Sequence, residues 1–226
     1  MRARLLTLPA ALLLTATLAS CSDDGPSAAT DPNVDSDLEM TDCTYSEGGA
    51  PAAKEVEPPS AEAIAEGEIE ATMTTSVGEF GLTFDAAATP CTVHSWVSLA
   101  EQGYFDETQC HRLTTRGIFV LQCGDPTASG SGGPGYFFED ELTGDEKYTA
   151  GTLAMANSGP GSNGSQFFIV YEDSLVLGPD YTVFGTVDDA TLEAVRAVAE
   201  DGVNGSTKPG DGTPNTEVAI ESVTVA

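Results

Sequence analysis

Arg112 is the side chain in this sequence best suited to directed chemistry on a peptide. From residue 64 onward the only other basic residues are Arg116, Lys147, Arg196 and Lys208, so Arg112 does not belong to a general pattern of solvated charge. It precedes the apolar run Ile118-Phe119-Val120-Leu121 and then Gln122. A glycine-rich loop, Met155-Ala156-Asn157 and Asn163-Gly164-Ser165-Gln166-Phe167-Phe168 follow. A guanidinium fork next to aromatic and aliphatic side chains suits a neutral peptide carbonyl held against a hydrophobic ring. The chemistry implied is peptide binding, with proline as the ring.

Other motifs in the same stretch carry less. The glycines of residues 130–135 lack the Gly-Lys-Ser/Thr of a phosphate loop, and the domain is acidic, so they read as a turn-rich loop. Cys110 and His111 are adjacent in a strand and point to opposite faces, which argues against a nucleophile–base pair. There is no Cys-x-x-Cys, so neither a zinc site nor a thioredoxin-like site is supported, and no metal or other cofactor is expected.

The whole chain of 226 residues has a formal net charge of -28, which excludes a phosphate-binding surface for nucleic acid and a peripheral hold on anionic lipid. Its first 20 residues place Arg2 and Arg4 ahead of an interrupted apolar stretch too short to span a bilayer, as in a secretory signal. That segment ends in Leu18-Ala19-Ser20-Cys21, which resembles a bacterial lipobox and implies lipidation of Cys21. The expected organisation is a signal peptide at 1–20, a flexible acidic tether at 21–64 and one folded domain at 65–226. The tether is rich in Asp, Glu, Pro, Ser, Ala and Gly and has little apolar surface to offset its ordering entropy. Only Cys43-Thr44-Tyr45 has features to pin it down. With Cys21 lipidated, Cys43, Cys91, Cys110 and Cys123 remain. At least one disulfide is expected among them, and the three possible pairings stay open.

The elements that must position the arginine are mostly strands. Ile69, Ala71 and Met73 alternate in one strand, Phe80, Leu82 and Phe84 in the next, and Val77-Gly78 turns between them. Thr89-Pro90 opens a helix with Thr89 as cap; Val93, Trp96, Val97 and Ala100 share its buried face and Gly103 ends it. Short strands are expected near 111–114, 118–122, 152–156, 166–170 and 182–187, and a second helix begins at Asp189. Residues 202–215 read as a turn-rich loop before a last strand at 217–225. Many strands and two separated helices indicate a barrel or sandwich with helices over its ends.

Six segments in order resemble the cyclophilin-type peptidyl-prolyl isomerases: Cys110-His111-Arg112, Val120-Leu121-Gln122-Cys123-Gly124-Asp125, Gly130-Ser131-Gly132-Gly133-Pro134-Gly135-Tyr136, Met155-Ala156-Asn157, Asn163-Gly164-Ser165-Gln166-Phe167-Phe168-Ile169 and Tyr181-Thr182-Val183-Phe184-Gly185. The resemblance implies a mainly β fold, an eight-stranded closed antiparallel barrel capped by two helices. It implies that Arg112 is the catalytic arginine and that Gln122 orients it. Phe119, Val120, Phe168 and Leu177 match the pocket for the proline ring. The backbone of Asn157 matches the part that holds the peptide, Ala156 and Gln166 line the same groove, and Tyr181 stands where the family often has an aromatic residue or histidine. The turn Thr114-Thr115-Arg116-Gly117 is about two residues longer than the family pattern. Val176 replaces a tryptophan beside the pocket, which implies weak binding of cyclosporin.

Such a site needs no covalent step. Rotation about an Xaa-Pro bond crosses a barrier of about 18–20 kcal/mol through a twisted state without amide conjugation. In that state the prolyl nitrogen regains a lone pair, and a guanidinium donor binds it better than it binds either planar isomer. The function expected is peptidyl-prolyl cis-trans isomerisation of proline-containing polypeptides, aiding secreted or envelope proteins, by a monomer lipid-anchored outside the bacterial cell membrane. The alternative is a non-catalytic module that captures proline-containing segments of an envelope partner.

Overall fold

The first hairpin forms where alternation places it: β4 (Glu68–Thr75) and β5 (Gly78–Asp85) pair along their whole length, from Glu68 opposite Asp85 to Thr75 opposite Gly78. Phe80, Leu82 and Phe84 point inward and are buried. The structure is a computed structural model that describes residues 38–49 and 51–226. The expected signal segment, Cys21 and the start of the tether lie outside the described residues.

Three short strands precede the hairpin: β1 (Met40–Asp42), β2 (Ser46–Glu47) and β3 (Glu62–Ile64). After helix α1 (Pro90–Glu101) come β6 (Thr108–Gln109), β7 (Arg112–Thr114), β8 (Val120–Cys123), β9 (Tyr136–Phe137), β10 (Thr152–Met155), β11 (Phe167–Val170) and β12 (Val183–Val187). Helix α2 (Asp189–Glu200) leads into β13 (Val203–Lys208), β14 (Asp211–Pro214) and β15 (Ala219–Val225). The large sheet runs in the order β13-β14-β7-β8-β11-β10-β12-β5-β4-β15-β6, with every pairing antiparallel. Among the described residues the fold is mainly β with two helices.

The main core is aromatic. Trp96 on α1 lies 4.5 Å from Phe84, 5.0 Å from Phe105 and 6.0 Å from Phe167 between ring centroids, and Phe184 stacks on Phe84. A second, smaller cluster of Val120, Tyr148, Ala154, Phe168 and Val170 is separate from the main core. Strand alternation sends Phe167 and Ile169 into the main core and Phe168 and Val170 into this second cluster.

Two helix caps differ in kind. Asp188 caps α2 in the usual way, accepting from Thr191 N at 2.8 Å. The expected cap Thr89 does not cap α1; its hydroxyl donates to Asp85 O. Glu141 caps α1 from a distance instead, accepting from Cys91 N at 3.1 Å, Thr92 N at 2.8 Å and Thr92 Oγ1 at 2.7 Å. A carboxylate there satisfies open N–H groups and complements the helix dipole.

Residues 38–49 and 51–64 are a strap fastened to the domain rather than a flexible tether. β1 pairs with β3, and β2 pairs with β9. A disulfide joins Cys43 to Cys91 on α1, and Tyr45 Oη donates to Cys91 O at 2.8 Å. Ala53 N donates to Gly133 O, and Lys54 Nζ donates to the carbonyls of Gly103 and Asp106. Composition alone misleads here because backbone pairing and one covalent link replace the missing apolar burial. The second disulfide joins Cys110, in the link between β6 and β7, to Cys123 at the end of β8. Residues 202–215 also differ from expectation: they form the β13–β14 hairpin, whose β14 pairs with β7 through Asp211–Thr114 and Gly212–Leu113.

Candidate active site

Arg112 and Gln122 face each other directly in the β7–β8 ladder. The register brings the two side chains together, and Arg112 Nη1 donates to Gln122 Oε1 at 3.0 Å. The opposite edge of the guanidinium is held by a residue for which the sequence offered no signal: Nε donates to Asp211 Oδ1 at 2.8 Å and Nη2 to Asp211 Oδ2 at 3.0 Å. Asp211 lies in Lys208-Pro209-Gly210-Asp211-Gly212, where the glycines and proline hide a strand. The Arg112 guanidinium, by its hydrogen bonds first, holds the Asp211 carboxyl below its ordinary value against the opposing effect of burial, so Asp211 is charged at neutral pH. The Arg112 side chain remains 37% exposed.

The longer turn at Thr114-Thr115-Arg116-Gly117 leaves Arg112 opposite Gln122 and bonded to it. It rests on the same hairpin, with Thr115 N donating to Gly210 O at 2.7 Å. Gly210 has φ 77° and lies so close to this turn that a Cβ there would sit 2.7 Å from Arg116 Cγ.

From Gln122 the hydrogen bonds continue along the groove floor. Gln122 Nε2 donates to Gln166 Oε1 at 2.8 Å, and Gln166 Nε2 donates to Gly132 O at 2.9 Å. Because a guanidinium can only donate, Gln122 must turn its oxygen to Arg112, and that choice fixes the direction of each later bond. Gly132 belongs to a loop wound around the buried carboxylate of Asp125, which accepts from Gly130 N, Gly132 N, Thr127 N and Thr127 Oγ1. Gln122, Gln166, Ala156, Asn157, Gly132 and Gly49 of the strap all line a pocket of about 390 Å³.

The apolar part of the site is the second cluster. Val120 and Phe168 are buried in it, with Ala156, Leu177 and Tyr181 packed half-buried against them. The ring of Tyr181 meets Phe168 edge-on at 5.6 Å. Phe119 does not join this cluster. It precedes Val120 in the chain and packs on the main core, edge-on to Tyr171 at 5.9 Å, with its N–H donating to Ser174 Oγ. Asn157 Nδ2 donates to Asp180 O at 2.8 Å, while its backbone N–H and C=O make no hydrogen bond among the described residues. Those groups are open to an extended peptide.

His111 lies buried behind this floor with both ring nitrogens unpartnered, and burial holds its imidazole below the usual range, so it is neutral at pH 7. Cys110 is consumed in its disulfide, so the two residues do not form a nucleophile–base pair. Among the described residues no group of three or more His, Cys, Asp and Glu side chains is arranged to hold a metal ion.

The model of the family described as cyclophilin type peptidyl-prolyl cis-trans isomerase/CLD matches residues 70–225. The chain belongs to the cyclophilin family. It is similar to the probable peptidyl-prolyl cis-trans isomerase B of Mycobacterium leprae, 46% identical over 196 residues that cover 80% of this chain and 65% of the relative. The protein of the same description in Mycobacterium tuberculosis is 48% identical over 169 residues, covering 69% of this chain and 54% of that one. The chain therefore spans roughly half to two thirds of the length of these relatives. Among solved structures, a cyclophilin-type isomerase of Cryptosporidium parvum crystallised in the presence of the dipeptide Ala-Pro resembles it with a TM-score of 0.61. That protein is 27% identical, and the match covers 70% of this chain and 98% of the other. At the position where many cyclophilins carry tryptophan, Val176 is 75% exposed beside Leu175 at 72%, so the pocket rim is aliphatic and solvent-facing.

Proposed function

We propose that this cyclophilin catalyses cis-trans isomerisation of Xaa-Pro bonds in polypeptides. The observation that carries this reading is the guanidinium of Arg112, fixed on two sides at a site that also holds a preformed apolar cluster. An arginine has five N–H donors; Asp211 takes two and Gln122 one, which leaves two for substrate. Val120, Phe168, Leu177 and Tyr181 supply the surface for the proline ring, and the open backbone of Asn157 pairs with the residues before it. With the ring held, the preceding carbonyl swings, and the free donors of Arg112 meet the nitrogen lone pair that exists only while the bond is twisted. An interaction present only in that state lowers the barrier, by about 3 kcal/mol for one well-aimed donor.

The setting of this activity is inferred from sequence. Arg2, Arg4 and the Leu18-Ala19-Ser20-Cys21 segment support export and lipidation at Cys21, with the domain held outside the cell membrane as a monomer acting on secreted or envelope proteins. The eight-stranded closed barrel is supported by chain continuity. β6 pairs with β15 and β7 with β8, and only Cys110 and His111 separate β6 from β7. Counted as one strand, β6–β7 joins the two ends of the series β8, β11, β10, β12, β5, β4 and β15, and β13–β14 flanks it outside.

The test is isomerisation of a short Xaa-Pro peptide by the full chain, wild type beside Arg112→Ala. Activity lost in the variant, with circular dichroism unchanged, supports the enzyme. A folded wild type that binds proline peptides without accelerating their isomerisation would move the assignment to a capture module.

A further inference from the structure

The Arg112–Asp211 pair has a geometry that a surface ion pair rarely has. It is bidentate, and both partners sit on hydrogen-bonded neighbouring strands. Exposed, singly bonded pairs contribute little because two long side chains must be ordered to make them. Here the carboxylate arrives on a strand whose register with β7 is already set by Asp211–Thr114 and Gly212–Leu113. The short Asp211 side chain adds little freedom of its own. Its two oxygens define both the plane and the rotation of the guanidinium, which Gln122 alone, through one contact to Nη1, does not.

We propose that Asp211 is a positioning residue for isomerisation, holding the guanidinium of Arg112 so that its two remaining N–H donors face the substrate bond. This rests on the isomerase reading above and adds the β13–β14 hairpin to its machinery. Without Asp211 the guanidinium pivots about its single bond to Gln122 and the free donors are aimed only part of the time. The defect falls on the twisted state, which needs a directed donor, more than on ground-state binding, which the apolar cluster supplies.

The experiment compares the full-length wild type with Asp211→Ala, Asp211→Asn, Arg112→Ala and the double variant Arg112→Ala/Asp211→Ala. Isomerisation is followed by NMR exchange on an Xaa-Pro peptide. Asp211→Ala is expected to lower kcat/KM about tenfold, mostly through kcat, and Asp211→Asn to recover part of that loss by keeping one acceptor oxygen. In the Arg112→Ala background, removing Asp211 changes the residual rate less than about twofold, because Asp211 acts only through the arginine. Wild-type rates in Asp211→Ala, a faster variant, or the same loss with and without Arg112 would each overturn the proposal. A wild type without activity counts against the isomerase reading itself. Positioning is then judged from the Arg112 Nε–H resonance, protected from solvent exchange in the wild type and unprotected in Asp211→Ala; equal protection in both rejects it.

Discussion

Removing the Cys110–Cys123 disulfide should separate what a covalent link contributes from what the strand ladder contributes. The bridge spans a sequence separation of 13, and restricting a loop of that size in the unfolded chain stabilises the fold by about 3 kcal/mol. Both sulfurs are buried, so replacing the pair by Cys110→Ala/Cys123→Ala also removes packing, and 3 kcal/mol is the lower side of the expected loss. For a domain of this size that corresponds to a fall in Tm of about 6–12 °C, read by thermal and urea unfolding against the oxidised wild type. Activity measured well below the new Tm should stay within about twofold. Arg112 remains opposite Gln122, Leu113 opposite Leu121, and His111 N still donates to Gln122 O at 3.0 Å. A stability loss under about 1 kcal/mol would refute the loop-entropy argument. A folded variant without activity would refute the claim that the ladder, rather than the bridge, holds the arginine in place.

Gly132→Ala should lower stability by about 1–3 kcal/mol and reduce kcat/KM together. Its Cβ would lie 2.0 Å from Asp125 Oδ1, displacing the carboxylate that organises the loop holding Gln166; an unaltered urea midpoint would count against this. Burial alone would raise the pKa of Asp125, but the hydrogen bonds from Thr127, Gly132 and Gly130 outweigh it and bring the value from 3.8 down to about 2. The stabilisation from a depressed carboxyl is complete above its unfolded value and lost as pH falls through its folded one. The wild type should therefore lose stability between about pH 4 and pH 2 by a component that Asp125→Asn lacks, measured by urea unfolding across that range. Cyclosporin should bind weakly by calorimetry, and Val176→Trp should tighten it about tenfold by adding aromatic contact area at the exposed rim. No change on that substitution would show that Val176 is not the limiting contact.

The strands and helices that were legible in the sequence are those whose side chains alternate or repeat against a buried face: β4 and β5, and the stripe of Trp96 on α1. The direct opposition of Arg112 and Gln122 comes from the strand register; their association was legible only through the family resemblance. Asp211 was not, because Gly210, Gly212 and Pro214 break the hydrophobic pattern by which strands are recognised, while backbone pairing to β7 places them there regardless. The strap was hidden for a related reason: its few apolar residues promise little burial, and what secures it is a disulfide and hydrogen bonds to loops distant in sequence. Glu141 capping α1 across a separation of 49 residues likewise leaves no local trace. Phe119, which the family resemblance matches to the proline pocket, packs half-buried against the main core, edge-on to Tyr171, a contact with no local trace in the sequence.

The pairing of the four cysteines bears on how the molecule is made. Cys43 joins Cys91 and Cys110 joins Cys123, so the first cysteine of the domain bonds to the second and the third to the fourth. The two covalent loops do not interleave. A chain synthesised N-terminus first presents each of these pairs complete before the next pair begins. With Cys21 withheld from oxidation, an oxidant that joins the other four cysteines in order of arrival reaches the Cys43–Cys91 and Cys110–Cys123 connectivity without reshuffling.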